Sequence, residues 1–297
     1  MKAFLLRVGI FAAAVLCLFG MGEWYVESRP NAARDKHKWM KQHSRDVQTL
    51  ILGSSHTFYG VCPQVLGDKT FSLAQVSQTY RYDAWLLGNY PTDSLRTIVL
   101  PFSYFSLYED YESGVGEDYI ARYRIYMDCP LHSRWSEYGL ECLNLTAFKE
   151  KLKGLFRPSR NSWDEHGWGT NYTVANKKAD WDNGKERALA HTYTDTTAVA
   201  FNTEQLHKIC RYCKERGIKV LLLTTPVTAT YRQHKDSLQT AQNKSILKAL
   251  LQAYPEVTYL NLEADERFEA EDFFDADHLT DTGAAKLSKI IRTFIAP

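Results

Sequence analysis

Short apolar runs rich in β-formers, spaced by stretches of helical character, constrain this chain more than any other feature. The first is residues 47–52 (VQTLIL), which ends in Gly53-Ser54-Ser55. Others lie at 70–73, at 97–100 (TIVL, before Pro101), at 219–224 (KVLLLT, before Thr225-Pro226) and at 258–262 (TYLNL). Residues 82–89, 202–216, 235–253 and 282–295 read as helices, with Gly217 standing where a helix C-cap belongs. Runs this apolar suit strands buried on both faces of a parallel sheet. Their alternation with helices predicts an α/β chain, a doubly wound three-layer sandwich with a parallel sheet of about five strands.

Residues 104–200 break that rhythm. They are polar and aromatic, carrying Tyr104, Tyr108, Tyr111, Tyr119, Tyr123, Tyr126, Trp135, Trp163, Trp168 and Trp181. A structureless loop of that length does not suit a compact domain, so an inserted cap with some helix of its own, for instance over 147–156, is expected. Its tyrosines fit packing better than sugar-binding platforms. Asp164, Glu165, His166 and Trp168 form either a ligand-facing cluster or a solvated loop.

The first residues form a separate segment. Lys2 and Arg7 precede an apolar run over 8–21, and Trp24-Tyr25 follow it. Alone, the run has the length of a signal-peptide core. Extended through 3–6, with Arg7 reaching to the interface, it becomes a single membrane span with an aromatic anchor. Residues 1–26 are therefore a signal-anchor or a cleaved signal peptide, and either places the rest outside the cytoplasm. Residues 27–46 carry Arg34, Lys36, Lys38 and Lys41 and read as a juxtamembrane linker, leaving 47–297 as the main domain.

Lys+Arg 36 against Asp+Glu 35 leaves no basic surplus, which argues against nucleic acid as a partner. Cys129 and Cys142 could pair across a short loop in an oxidising compartment. Cys210-x-x-Cys213 lies in a helical stretch with no second ligand pair, so packing on one helix face is the better reading than a zinc site. No metal or organic cofactor is called for.

Chemistry enters at two places. The first strand delivers Ser55 at its carboxyl end, the edge where ligands bind in open α/β sheets. Near the C-terminus stands Asp275-Ala276-Asp277-His278. A carboxylate three residues before a histidine on a tight loop can fold back onto the ring Nδ1–H, leaving Nε2 to take a serine proton. Ser55 could otherwise be a helix cap, Ser54 is a rival nucleophile, and Asp277 competes with Asp275 as the orienting acid. His56 is either a donor behind the site or a plain polar residue of the first helical turn. Ala74 and Ser103, at the ends of the second and third strands, could supply oxyanion donors.

Gly53-Ser54-Ser55 resembles the Gly-Asp-Ser block of SGNH/GDSL hydrolases, and Asp275-Ala276-Asp277-His278 resembles that family's Asp-x-x-His block, in the same order and near the C-terminus. The resemblance implies a flavodoxin-like SGNH hydrolase fold with Ser55, His278 and Asp275 as a catalytic triad. Within the superfamily the chain is most similar to membrane-anchored, export-side members such as the teichoic-acid D-alanyl transfer protein and exopolysaccharide acetyltransferases. That implies an acyl donor, a cell-envelope glycan or cell-wall polymer, and a membrane-bound O-acyltransferase as partner. It departs from the family where Ala74 replaces the second block's Gly and where Pro101-Phe102-Ser103 replaces Gly-x-Asn-Asp. A missing oxyanion donor costs on the order of 3 kcal/mol in the transition state. The expected activity is thus a serine-dependent O-acyltransferase or esterase; the alternative is a non-catalytic accessory or glycan-binding protein of an envelope acylation system.

Overall fold

The computed structural model describes residues 1–111, 117–130, 140–143 and 162–295. Each of the five runs rich in β-formers becomes a strand: β1 (Thr49–Ile51), β2 (Thr70–Ser72), β3 (Thr97–Pro101), β4 (Lys219–Thr224) and β5 (Thr258–Asn261). They form one sheet in the order β2-β1-β3-β4-β5, and every pairing is parallel. Leu50 and Ile51 of β1, Ile98, Val99 and Leu100 of β3, and Leu222 and Leu223 of β4 have no exposed surface. Burial on both faces of the central strands explains why these runs are apolar throughout rather than alternating.

Helices cover the sheet. Tyr80–Asn89 packs on Thr197–Glu215, while Asp281–Ile295 packs on Ser55–Gly60 and Pro63–Leu66. Three helices begin earlier than their apolar periodicity predicts, at Tyr80, Thr197 and Asp281. Thr197–Glu215 starts at Thr197, whose N–H the Asp195 carboxylate accepts at 2.8 Å. Cys210 and Cys213 are both buried on this helix, and burial pushes the Cys210 thiol up to about 12, as expected of packing residues.

The strand order reverses between β1 and β3, which lie side by side while their onward connections go opposite ways. This is the switch point at which doubly wound sheets open a crevice. The last bond between the two is Leu52 N–H to the Val99 carbonyl at 2.9 Å. Beyond it β3 continues through Pro101, where a strand stop was expected. Phe102 N–H turns to the Leu223 carbonyl of β4 at 2.8 Å, so the proline's missing donor faces the side that β1 has left.

The chain divides into two compact units, one of Met1–His37 with Tyr111–Asn161 and one of Lys38–Asp110 with Ser162–Pro297. The sheet and both chemistry-bearing segments belong to the second. Of the stretch read as a cap, residues 104–110 and 162–200 are thus part of the sheet's own unit; the helix expected over 147–156 lies outside the described residues. In the first unit, Lys2–Ser28 is one helix of 27 residues whose mean hydropathy reaches 2.3, long and apolar enough to cross a membrane. Near its end, Glu23 accepts the N–H groups of Glu141 and Cys142, each at 2.8 Å. Cys142 is a thiol and forms no disulfide with Cys129; burial and the Glu23 carboxylate push it up to about 12.

Leu287, wholly buried in the final helix, tests how that helix is held on the sheet. Leu287→Ala should lower the unfolding free energy by about 2–5 kcal/mol in urea titrations. Leu238→Ala, at a residue 79% exposed, should stay within about 0.5 kcal/mol of the parent.

Candidate active site

Ser54 ends the β1 turn as the N-cap of Ser55–Gly60, and Ser55 is the first helical residue. The turn requires Gly53. Its φ is +100°, and a Cβ there would lie 2.1 Å from Pro101 Cδ. Gly53 N–H is fixed by a 2.7 Å bond to Asp83 Oδ1, which also accepts Gln78 Nε2 at 2.6 Å. Ser54 Oγ points into the interior, buried and without a partner, so of the two serines it is Ser55 that faces the crevice.

The Asp275–His278 segment arrives on a loop pinched at its neck by a Phe273–Leu279 bridge and by Phe274 N–H to the His278 carbonyl at 2.9 Å. Asp275 Oδ1 accepts the backbone N–H of Asp277 at 3.1 Å and of His278 at 2.9 Å. The same carboxylate takes His278 Nδ1–H at 2.9 and 3.0 Å. A short acidic side chain thereby closes the turn and orients the ring together, which is the physical reason for the three-residue spacing. On its far side, His278 Nε2 stands 2.8 Å from Ser55 Oγ, across 223 positions of sequence.

Asp277 does something else. It is fully enclosed, with Arg187 Nε and Nη2 donating at 2.7 and 3.0 Å and His56 Nε2 donating at 3.0 Å. His278 Nδ1 and His191 Nδ1 both stand 3.7 Å away. Burial would raise the Asp277 carboxyl, but His278, His56 and Arg187 together hold it well below the usual carboxylate range. Burial lowers His56, and it lowers His191 to about 3. Burial also opposes charge on His278, yet Asp277 and then Asp275 outweigh it and raise the ring above its ordinary value.

The other expected residues are placed as follows. His56 is buried, with Nδ1 2.8 Å from Ser103 Oγ and 3.3 Å from Thr225 Oγ1, so both its nitrogens are engaged within the protein. Ala74 is buried at the end of β2, flanked by Leu73 N–H to Ile51 and Gln75 N–H to Gly53. His166 lies in a loop organised by Asp164, whose Oδ1 accepts the N–H groups of His166 and Trp168 at 2.9 Å each. The His166 carbonyl takes the Ser72 N–H of edge strand β2.

Several neighbours carried no signal in the sequence. Arg187 sits on the helix Gly184–Ala190 and His191 just after it, inside the stretch read as a cap. His191 Nδ1 meets Tyr231 Oη at 2.8 Å. Tyr172 stacks between Tyr59 and Phe274 at 3.8 and 3.9 Å, and its ring meets His278 edge-on at 5.3 Å. This aromatic wall screens one side of the imidazole from water.

His56, Asp277 and His278 bring ligand-type atoms within 4.8 Å of one another. Each is already spent, His56 on Ser103 and Asp277, and His278 on Ser55 and Asp275. The charge on Asp277 is met by a guanidinium, so this donor set does not fit a cation.

No protein-family model and no curated protein matches the sequence. Solved structures that resemble the fold include a Streptococcus pneumonia protein provisionally described as a platelet activating factor, at 13% identity and TM-score 0.44, covering 95% of this chain and 98% of that one. A Bacteroides fragilis protein provisionally described as an acylhydrolase follows, at 11% identity and TM-score 0.42, covering 87% and 94%. A GDSL-like lipase from Bacteroides thetaiotaomicron also matches, at 11% identity and TM-score 0.42, covering 89% and 98%.

Asp83 provides a test of the turn that presents Ser55. Burial raises its carboxyl from 3.8 to about 7, against the hydrogen bonds from Gln78 and Gly53. The native state therefore keeps this proton to higher pH than the unfolded chain, and stability falls as pH rises from about 4 to about 7. Asp83→Asn, which keeps an acceptor for Gly53, should flatten the midpoint of urea unfolding across that window.

Proposed function

We propose that this protein is a serine-dependent acyl-transferring enzyme, an esterase or O-acyltransferase, acting through Ser55, His278 and Asp275. The observation that carries the reading is the continuous chain Ser55 Oγ, His278 Nε2, His278 Nδ1, Asp275, with contacts of 2.8 and 2.9 Å. Ser55 Oγ attacks an acyl carbonyl while its proton passes to His278 Nε2, and Asp275 steadies the imidazolium. The backbone N–H groups of Ser55 and Ala74 receive the developing oxyanion. Collapse expels the alcohol, which takes the proton from His278, and the acyl group on Ser55 then passes to a sugar hydroxyl or to water.

Ser103 and His56 fall outside this donor set in the proposal. With His56 Nε2–H directed at Asp277, Nδ1 is an acceptor and the Ser103 hydroxyl points its proton there. Both residues then support the site from behind rather than touch the acyl group.

The apolar helix Lys2–Ser28 supports a location at the outer face of a membrane, as a signal-anchored or exported protein, with a cell-envelope glycan or polymer as acceptor. The Tyr59–Tyr172–Phe274 wall beside His278 favours transfer over hydrolysis by limiting water. In that arrangement a membrane-bound O-acyltransferase supplies the acyl group.

Steady-state assays with p-nitrophenyl acyl esters test the reading. Ser55→Ala and His278→Ala should each lower kcat by at least about 1000-fold, and Asp275→Asn by about 1000–10,000-fold. An acylated glycan product formed at the expense of free acid identifies the transferase. Turnover unaffected by Ser55→Ala, or none in the parent, favours a non-catalytic accessory role.

A further inference from the structure

His278 faces more charge than its proton-relay role needs. From its own loop come Asp275 and Asp277; from Ser55–Gly60 come Ser55, His56 and Tyr59; Tyr172 meets the ring edge; and Arg187 and His191 approach through Asp277. With His56 and His191 neutral, as burial dictates, the charged groups around the imidazole are two carboxylates and one guanidinium. Before reaction they sum to one negative charge, which a proton on His278 neutralises.

Asp277 is the unusual member. Its side chain has no exposed surface, and a buried carboxylate requires a partner. The partner is Arg187, whose planar fork spans both oxygens at 2.7 and 3.0 Å. The helix bearing Arg187 is itself locked in place. Gly184 sits so close to the Thr230–Tyr231 backbone that a Cβ would lie 2.4 Å from Tyr231 N. Asn183 just before it takes the Ala276 N–H of the histidine loop at 3.4 Å. Without the guanidinium, two uncompensated carboxylates would face His278 and hold its proton at rest, and a protonated base cannot accept from Ser55.

We propose that Arg187, acting through the Asp277 carboxylate, is a positioning residue that limits the pull of the two carboxylates on a His278 proton, so that the ring can release it and take that of Ser55. This rests on the acyl-transfer reading above, but its electrostatic content is independent of turnover. Asp275 orients the ring, whereas the Arg187–Asp277 pair sets how readily the ring is charged.

The experiment uses the full chain in detergent and reads two quantities. One is the acidic limb of the kcat/KM–pH profile with a p-nitrophenyl ester; the other is the titration of the His278 ring by NMR of histidine-labelled protein. Arg187→Met should move both midpoints up by about one pH unit, with about tenfold less kcat/KM on the acidic limb and recovery at higher pH. Asp277→Asn should move them down, and Arg187→Lys should leave them near the parent. A uniform loss at every pH with unmoved midpoints, in whichever variant folds, would mean the pair is only structural and overturns the proposal. If the parent hydrolyses no ester, the acyl-transfer reading fails while the ring titration still decides this one.

Discussion

Two neighbouring strands must part at Gly53, and everything at the site depends on that parting. β1 and β3 are hydrogen-bonded up to Leu52; one residue later the Pro101 ring occupies the space a Cβ on residue 53 would need. Only a glycine with its positive φ can turn the chain there. The turn swings Ser55 into the first helical position above the switch point, and the Asp83 carboxylate holds Gly53 N–H from below. The serine so placed meets the His278 ring, which is delivered by the last loop before the final helix, kept tight by the neck at Phe273 and Leu279.

Most of the sheet was legible because the central strands are buried on both faces, leaving continuous apolar runs that admit few other interpretations. Helix starts were less legible. The first turn of Thr197–Glu215 is held by Asp195 and carries little apolar periodicity. Asp275 and His278 could be read together because three residues on one loop suffice to close a carboxylate onto a ring.

The second half of the site could not be read that way. Arg187, His191 and Tyr231 arrive on separate elements, and no spacing along the chain encodes their convergence on Asp277. Asp277 was visible only as a rival to Asp275. Neighbouring loop residues point apart, and here the two carboxylates serve different ends. Asp275, 21% exposed, grips the ring, while Asp277 lies beneath it, sealed by Arg187 and His56. Ser103 and His56 were legible as polar residues near the strand ends. That they would spend their hydrogen bonds on each other at 2.8 Å is a property of packing.

Nucleophilicity at Ser55 is the claim on which the functional account stands, and a fluorophosphonate probe reads it most directly. After labelling of the full chain, mass spectrometry of the digest should place the phosphonate on the peptide containing Ser55. The adduct should vanish in Ser55→Ala and form at least about 1000-fold more slowly in His278→Ala. An adduct on another residue, or labelling indifferent to both substitutions, would contradict the account.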